Sequence, residues 1–96
     1  MIQSFAGKMG QNIFDGENTR HARKLPRELH AKAQRLMDQI NAAPSVEMLR
    51  KPPSNRLEKL SGDRMDFWSI RINDQWRIVF LWQGGDAHDV DIVDYH

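Results

Sequence analysis

Two hydrophobic periods divide this 96-residue chain. From Leu25 to Ala43, apolar residues recur at helical spacing: Leu25, Leu29, Ala33, Leu36, Met37 and Ile40 form one stripe. Pro26 suits the first turn of a helix, where its missing N–H costs nothing, and Pro44 stops the segment. A weaker helix is expected over Gly7–Phe14, with Met9 and Ile13 four apart and Asp15-Gly16 closing it. Asn18–Lys24 reads as a loop, and Ser45 as the cap of a short turn over Val46–Leu49. Lys51-Pro52-Pro53 reads as rigid, extended chain.

From residue 56 the period becomes two. Arg56–Leu60 is a candidate strand, ended by Ser61-Gly62-Asp63. In Phe67–Ile72, Trp68, Ile70 and Ile72 alternate with Ser69 and Arg71. In Trp76–Trp82, Trp76, Ile78, Phe80 and Trp82 alternate with Arg77, Val79 and Leu81. Gly84-Gly85-Asp86 is a turn, and Asp89–Tyr95 is the last strand. With Ile2–Phe5 as a short first strand, the order predicts one α+β domain over residues 1–96. Its N-terminal strand and helices would pack on a mostly antiparallel sheet of four to five strands.

Composition narrows the function. Hydrophobic residues are 40% and charged residues 28%, which is globular composition. No apolar run approaches the roughly 20 residues of a membrane helix, so no membrane association is expected. Met1-Ile2-Gln3-Ser4-Phe5 does not have the form of a secretory signal. There is no cysteine, which suits a reducing, cytoplasmic compartment. No HExxH or similar spacing occurs, and neither a metal nor a cofactor is expected.

The net charge of +1 conceals a division. Residues 1–60 contain eleven Lys/Arg and six Asp/Glu, a balance of +5; residues 61–96 contain three Arg and seven Asp, a balance of −4. Arg20, Arg23, Lys24, Arg27, Lys32 and Arg35 cluster with only Glu28 opposing them. Such a cluster is either a solvated helix face or a grip for a polyanion or acidic partner.

If Asn73-Asp74-Gln75 is the turn between the middle strands, Arg71 lies opposite Arg77. Both arginines then point away from the face bearing Trp68, Ile70, Ile78 and Phe80. Like charges across a sheet are unfavourable unless something neutralises them. A phosphate would do so, and so would Asp89, Asp91 or Asp94 on the neighbouring strand. The sequence finishes Asp94-Tyr95-His96, and an imidazole with an ordinary pKa of about 6.5 exchanges protons near neutrality.

Three blocks together carry a resemblance. Asn55-Arg56-Leu57-Glu58-Lys59-Leu60-Ser61-Gly62-Asp63-Arg64, Trp68-Ser69-Ile70-Arg71-Ile72-Asn73-Asp74-Gln75-Trp76-Arg77-Ile78 and Ile92-Val93-Asp94-Tyr95-His96 resemble the HigB-type toxins of bacterial toxin–antitoxin pairs, in the RelE/ParE superfamily. The resemblance implies a small RelE-like fold and growth inhibition through ribosome-dependent mRNA cleavage. It also implies neutralisation by a cognate HigA-type helix-turn-helix antitoxin, through which operator DNA is reached indirectly. Asp94, Tyr95 and His96 match the family's catalytic C-terminal motif, and Arg77 its basic residue on the central strand. Glu58 stands where some relatives carry a catalytic histidine.

These residues suit metal-free RNA cleavage, in which a ribose 2′-OH attacks the adjacent phosphate. His96 would transfer a proton as general acid, and Asp94 would orient it or act as base, with Glu58 the rival base. Arg77, and secondarily Arg71, would stabilise phosphate charge, with Arg56 and Lys59 as further RNA-binding candidates. Tyr95 could stack on a base or bond the phosphate. The six clustered N-terminal cations would meet ribosomal RNA or the antitoxin. Two other functions fit the same fold: a toxin that poisons a protein such as DNA gyrase, and an inactive co-repressor.

Overall fold

The computed structural model describes residues 1–62 and 66–95. Two α-helices, α1 (Lys8–Phe14) and α2 (His30–Ala42), precede four strands: β1 (Glu58–Lys59), β2 (Phe67–Arg71), β3 (Trp76–Gln83) and β4 (Asp86–Asp94). The sheet order is β1-β2-β3-β4, antiparallel throughout. The residues before α1 run beside β4 in parallel, meeting it at isolated bridges Ile2–Ala87 and Phe5–Val90. The expected first strand is therefore present only as an edge held by single bridges. Backbone bonds such as Gln3 N–H to Ala87 O (2.7 Å) and Ala6 N–H to Val90 O (2.9 Å) tie it down.

The α2 stripe behaves as its spacing requires. Ala33, Leu36, Met37 and Ile40 are buried and pack with Ile70, Ile72, Ile78, Phe80, Val90 and Ile92 of the sheet region. Burying one such large side chain contributes about 1.5–3 kcal/mol. The helix starts later than the periodicity suggests. Pro26 sits at φ −50°, ψ 134°, and a 3₁₀ turn over Arg27–Leu29 leads into α2. Leu25 is buried without being helical. Within the expected loop, Ala22–Lys24 forms another 3₁₀ turn, anchored by buried Ala22 and capped where Thr19 Oγ accepts its N–H at 3.1 Å. Ser45 makes no side-chain cap for the 3₁₀ turn Val46–Arg50.

Three features shape the sheet. First, the middle hairpin has the expected register, with Arg71 opposite Arg77, Ile70 opposite Ile78 and Trp68 opposite Phe80. Secondly, Gly84 and Gly85 join β3 to β4 at φ 59° and 80°, the paired positive values that a two-residue hairpin turn demands. Thirdly, β4 carries one extra residue: Val79 pairs with Asp91 but Leu81 pairs with His88. Asp89 absorbs this bulge at φ 53°, which an aspartate tolerates better than most residues. The bulge lets Ala87 and Val90, three apart, both enter the core. It also turns the Asp89 backbone N–H outward to Ser4 Oγ, at 2.9 Å.

β1 is shorter than the expected Arg56–Leu60, because Arg56 adopts a left-handed φ of 47° that interrupts extended chain. Just before it, buried Asn55 donates from Nδ2 to the carbonyls of Leu49 (3.1 Å) and Lys51 (3.3 Å). That amide fixes where β1 enters the sheet.

Candidate functional site

The helices cover one sheet face, and the other carries the candidate chemistry. Antiparallel register places its residues in rows. One row runs Arg71, Arg77, Val93; the next runs Glu58, Ser69, Val79, Asp91. Ser69 and Val79 are each only 2% exposed, so the floor of this face is closed. A groove of about 530 Å³ lies over it. Glu58, Lys59, Leu60 and Ser61 line one side, Val79 the floor, and Val93, Asp94 and Tyr95 the other side. Sequence positions 58 and 94–95 thus line opposite sides of one groove, with β2 and β3 between them.

Half-buried Arg77 stands in the middle of its row, between Arg71 and Val93. Its guanidinium carbon is 5.3 Å from the Tyr95 ring centroid, a cation–π contact, and its Nη1 donates to Asn73 O at 3.4 Å. Tyr95 is 46% exposed. Asp94 is exposed at the end of β4, where its Oδ2 accepts from Gln75 Nε2 at 3.1 Å. Beyond it, the Tyr95 backbone N–H bonds to Gln75 O. His96 lies outside the described residues.

The anion found on Arg71 is Asp74, within the turn itself, while Asp89 is engaged by Ser4. Hydrogen bonding to Arg71, then the charge of Arg71, hold the Asp74 carboxyl below the usual range, and Arg56 and Arg77 add to the pull. Three guanidinium groups therefore act on Asp74, in the turn between β2 and β3. Arg56 is exposed. Lys59 lines the groove, but its Nζ also lies 5.8 Å from the Trp68 ring centroid, on the edge of the sheet.

The N-terminal cations do not line this groove. Arg20, Arg23, Lys24, Arg27 and Arg35 are exposed, and Lys32 is half-buried, around the helical layer. Among the described residues none of the six makes an ion pair, and Arg23 donates to Asn18 O at 3.4 Å. The sequence pattern gives Asn73-Asp74-Gln75 the part of a turn and assigns none of the three a role in the site. In the structure each of these residues touches a candidate site residue. The signal available was their polar character immediately beside Arg71 and Arg77.

A family model described as RelE-like toxin of type II toxin–antitoxin system HigB matches residues 3–96. Toxin HigB-1 of Vibrio cholerae is 35% identical over 87 residues, 91% of this chain and 90% of that protein. A Proteus vulgaris protein named endoribonuclease HigB is 44% identical over 41 residues, 43% of this chain and 45% of its own length. Among solved structures, the YoeB–YefM complex from Staphylococcus aureus aligns with a TM-score of 0.62 at 14% identity, covering 100% of this chain and 98% of that one. The YoeB/ParE toxin from Agrobacterium tumefaciens aligns with a TM-score of 0.52 at 15% identity, covering 98% of each chain. At such identities these two speak for the fold alone. The match along residues 3–96 and the identity to the Vibrio cholerae toxin make this chain a member of the HigB-like family of RelE-like toxins.

Proposed function

We propose that the protein is the toxin of a type II pair and cuts mRNA on the ribosome, with catalysis in the groove of the open sheet face. The observation that carries this reading is that Glu58, Asp94 and Tyr95 line one groove while Arg77 of β3 stacks on Tyr95. The name endoribonuclease borne by the Proteus vulgaris relative agrees with it.

In this reading the ribose 2′-oxygen attacks the neighbouring phosphorus as its proton passes to a base. The bond to the 5′-oxygen breaks as that oxygen receives a proton from an acid. Asp94 or Glu58 takes the first proton and His96 supplies the second, without a metal. Arg77 stabilises the charge that builds on the phosphoryl oxygens, with Arg71 beside it. Tyr95, already seated on Arg77, offers its outer face to a base. Arg56 and Lys59 hold the flanking RNA backbone. Arg20, Arg23, Lys24, Arg27, Lys32 and Arg35 dock on ribosomal RNA or on a HigA-type helix-turn-helix antitoxin, which links the toxin to operator DNA. The site of action is the cytoplasm.

The test adds purified protein to a cell-free bacterial translation reaction with one defined message, and maps cuts by primer extension. Cuts within translated codons, absent without ribosomes and abolished in His96→Ala, are expected. An intact message with arrested growth in cells would replace the nuclease with a poison of a protein target.

A further inference from the structure

We infer that Gln75 is a positioning residue: its side-chain amide and backbone carbonyl together set Asp94 and Tyr95 against Arg77. This rests on the proposed use of Asp94 in RNA cleavage. Asp94 is the last residue of β4, pairs with Trp76 and is exposed. An exposed carboxylate at a strand end samples several rotamers unless something holds it. Gln75 contributes such a hold, donating from Nε2 to Asp94 Oδ2 at 3.1 Å, and it fixes the next residue by accepting the Tyr95 N–H at its carbonyl.

Gln75 is itself anchored. Asn73 Oδ1 accepts from the backbone N–H groups of Gln75 (2.9 Å) and Trp76 (2.8 Å), which locks the turn. The carbonyl of Asn73 meanwhile accepts from Arg77 Nη1. One polar turn thus sets the relative placement of the arginine and the carboxylate on neighbouring strands. An amide suits this task because it donates to a carboxylate without adding charge. Among the described residues, Glu58 and Lys59 of β1 are the other charged groups lining the groove, and Arg77 of β3 stacks on Tyr95. Replacing the amide with a carboxylate of the same shape would set two anions against each other.

The experiment is single-turnover mRNA cleavage on programmed ribosomes, reading both the rate constant and the half-saturating toxin concentration. Full-length parent, Gln75→Ala, Gln75→Glu, Asp94→Asn and the Gln75→Glu/Asp94→Asn double variant are compared. Gln75→Ala should slow cleavage about 10-fold and Gln75→Glu about 100-fold, the range expected when one charge-assisted hydrogen bond is removed. Half-saturation should hold within about twofold, since the amide orients a group and does not bind RNA. The double variant should be no slower than Asp94→Asn alone, because both changes act through one hydrogen bond.

A merely structural glutamine gives the reverse order, with the isosteric Gln75→Glu milder than Gln75→Ala. That order, or additive losses in the double variant, overturns the inference. Full activity of Gln75→Glu beside an inactive Asp94→Asn removes this inference alone. Full activity of Asp94→Asn removes the role of Asp94 in cleavage along with it.

Discussion

At the scale of single residues, charge placement explains most of the site. Arg71 and Arg77 face each other across two strands, an arrangement that like charges disfavour. The structure divides the burden: Asp74 meets Arg71, while the Tyr95 ring and the Asn73 carbonyl take Arg77. Arg77 is therefore held without an ion-pair partner among the described residues, with its charge available to a phosphate. Arg77→Ala should lower mRNA cleavage by about 10²–10³-fold while the melting temperature stays near the parent's. Retained cleavage in that folded variant would move the electrostatic role elsewhere.

Asp74 gives a second test. Its folded pKa lies below its unfolded one because of Arg71. Whatever stability the pair contributes is complete above the unfolded value of about 3.9 and disappears as pH falls through the lower folded value. Carbon-detected NMR titration should place the Asp74 midpoint below that of an ordinary aspartate. Arg71→Ala should bring it back most of the way, leaving only the weaker pull of Arg56 and Arg77.

At the scale of elements, one packed layer joins the helices to the sheet. Ile40 is fully buried in α2. Ile40→Ala should cost about 2–5 kcal/mol in denaturant unfolding. A domain of this size has only about 5–15 kcal/mol in total. Gly10 offers the opposite change. It lies within α1, and an added Cβ would sit 3.6 Å from Phe5 Cδ1 and 3.8 Å from Ile92 Cγ1, ordinary packing distances. Gly10→Ala should therefore stabilise by about 0.5–1 kcal/mol, the helix-propensity difference. A lower denaturation midpoint in that variant would show that α1 needs a closer approach to β4 than these distances imply.

At the scale of the whole molecule, the two ends of the charge distribution take different faces. The described catalytic candidates, Glu58, Arg77, Asp94 and Tyr95, belong to the open sheet face, and the six N-terminal cations surround the helical layer. A substrate presented by a large RNA assembly would then be held at one surface and cut at another. Replacing Arg20, Arg23 and Lys24 by Ala should weaken ribosome binding and flatten its dependence on salt, by up to about 0.7–0.9 in log–log slope for each phosphate no longer neutralised. The cleavage rate of the bound complex should be unchanged. An unaltered slope would return these residues to plain solvation.

Sequence alone determined the elements whose cause is local. The α2 stripe, the alternation of β2 and β3, and the Gly84-Gly85 turn all arise from periodicity and backbone preference, and the structure has them close to where the pattern put them. The Arg71–Arg77 pairing was legible too, since turn length and the buried face set the register. Tertiary structure decided the rest. The α2 boundary moved to His30 because Pro26 holds extended chain while buried Leu25 still packs in the core. The core pattern of β4 needed the Asp89 bulge, which no period-two reading contains. The placing of Glu58, Asp94 and Tyr95 around one groove, and the grip of Gln75 on Asp94, depend on the order of the strands in the sheet. Those are pairings of residues far apart in the chain, and local preference carries no information about them.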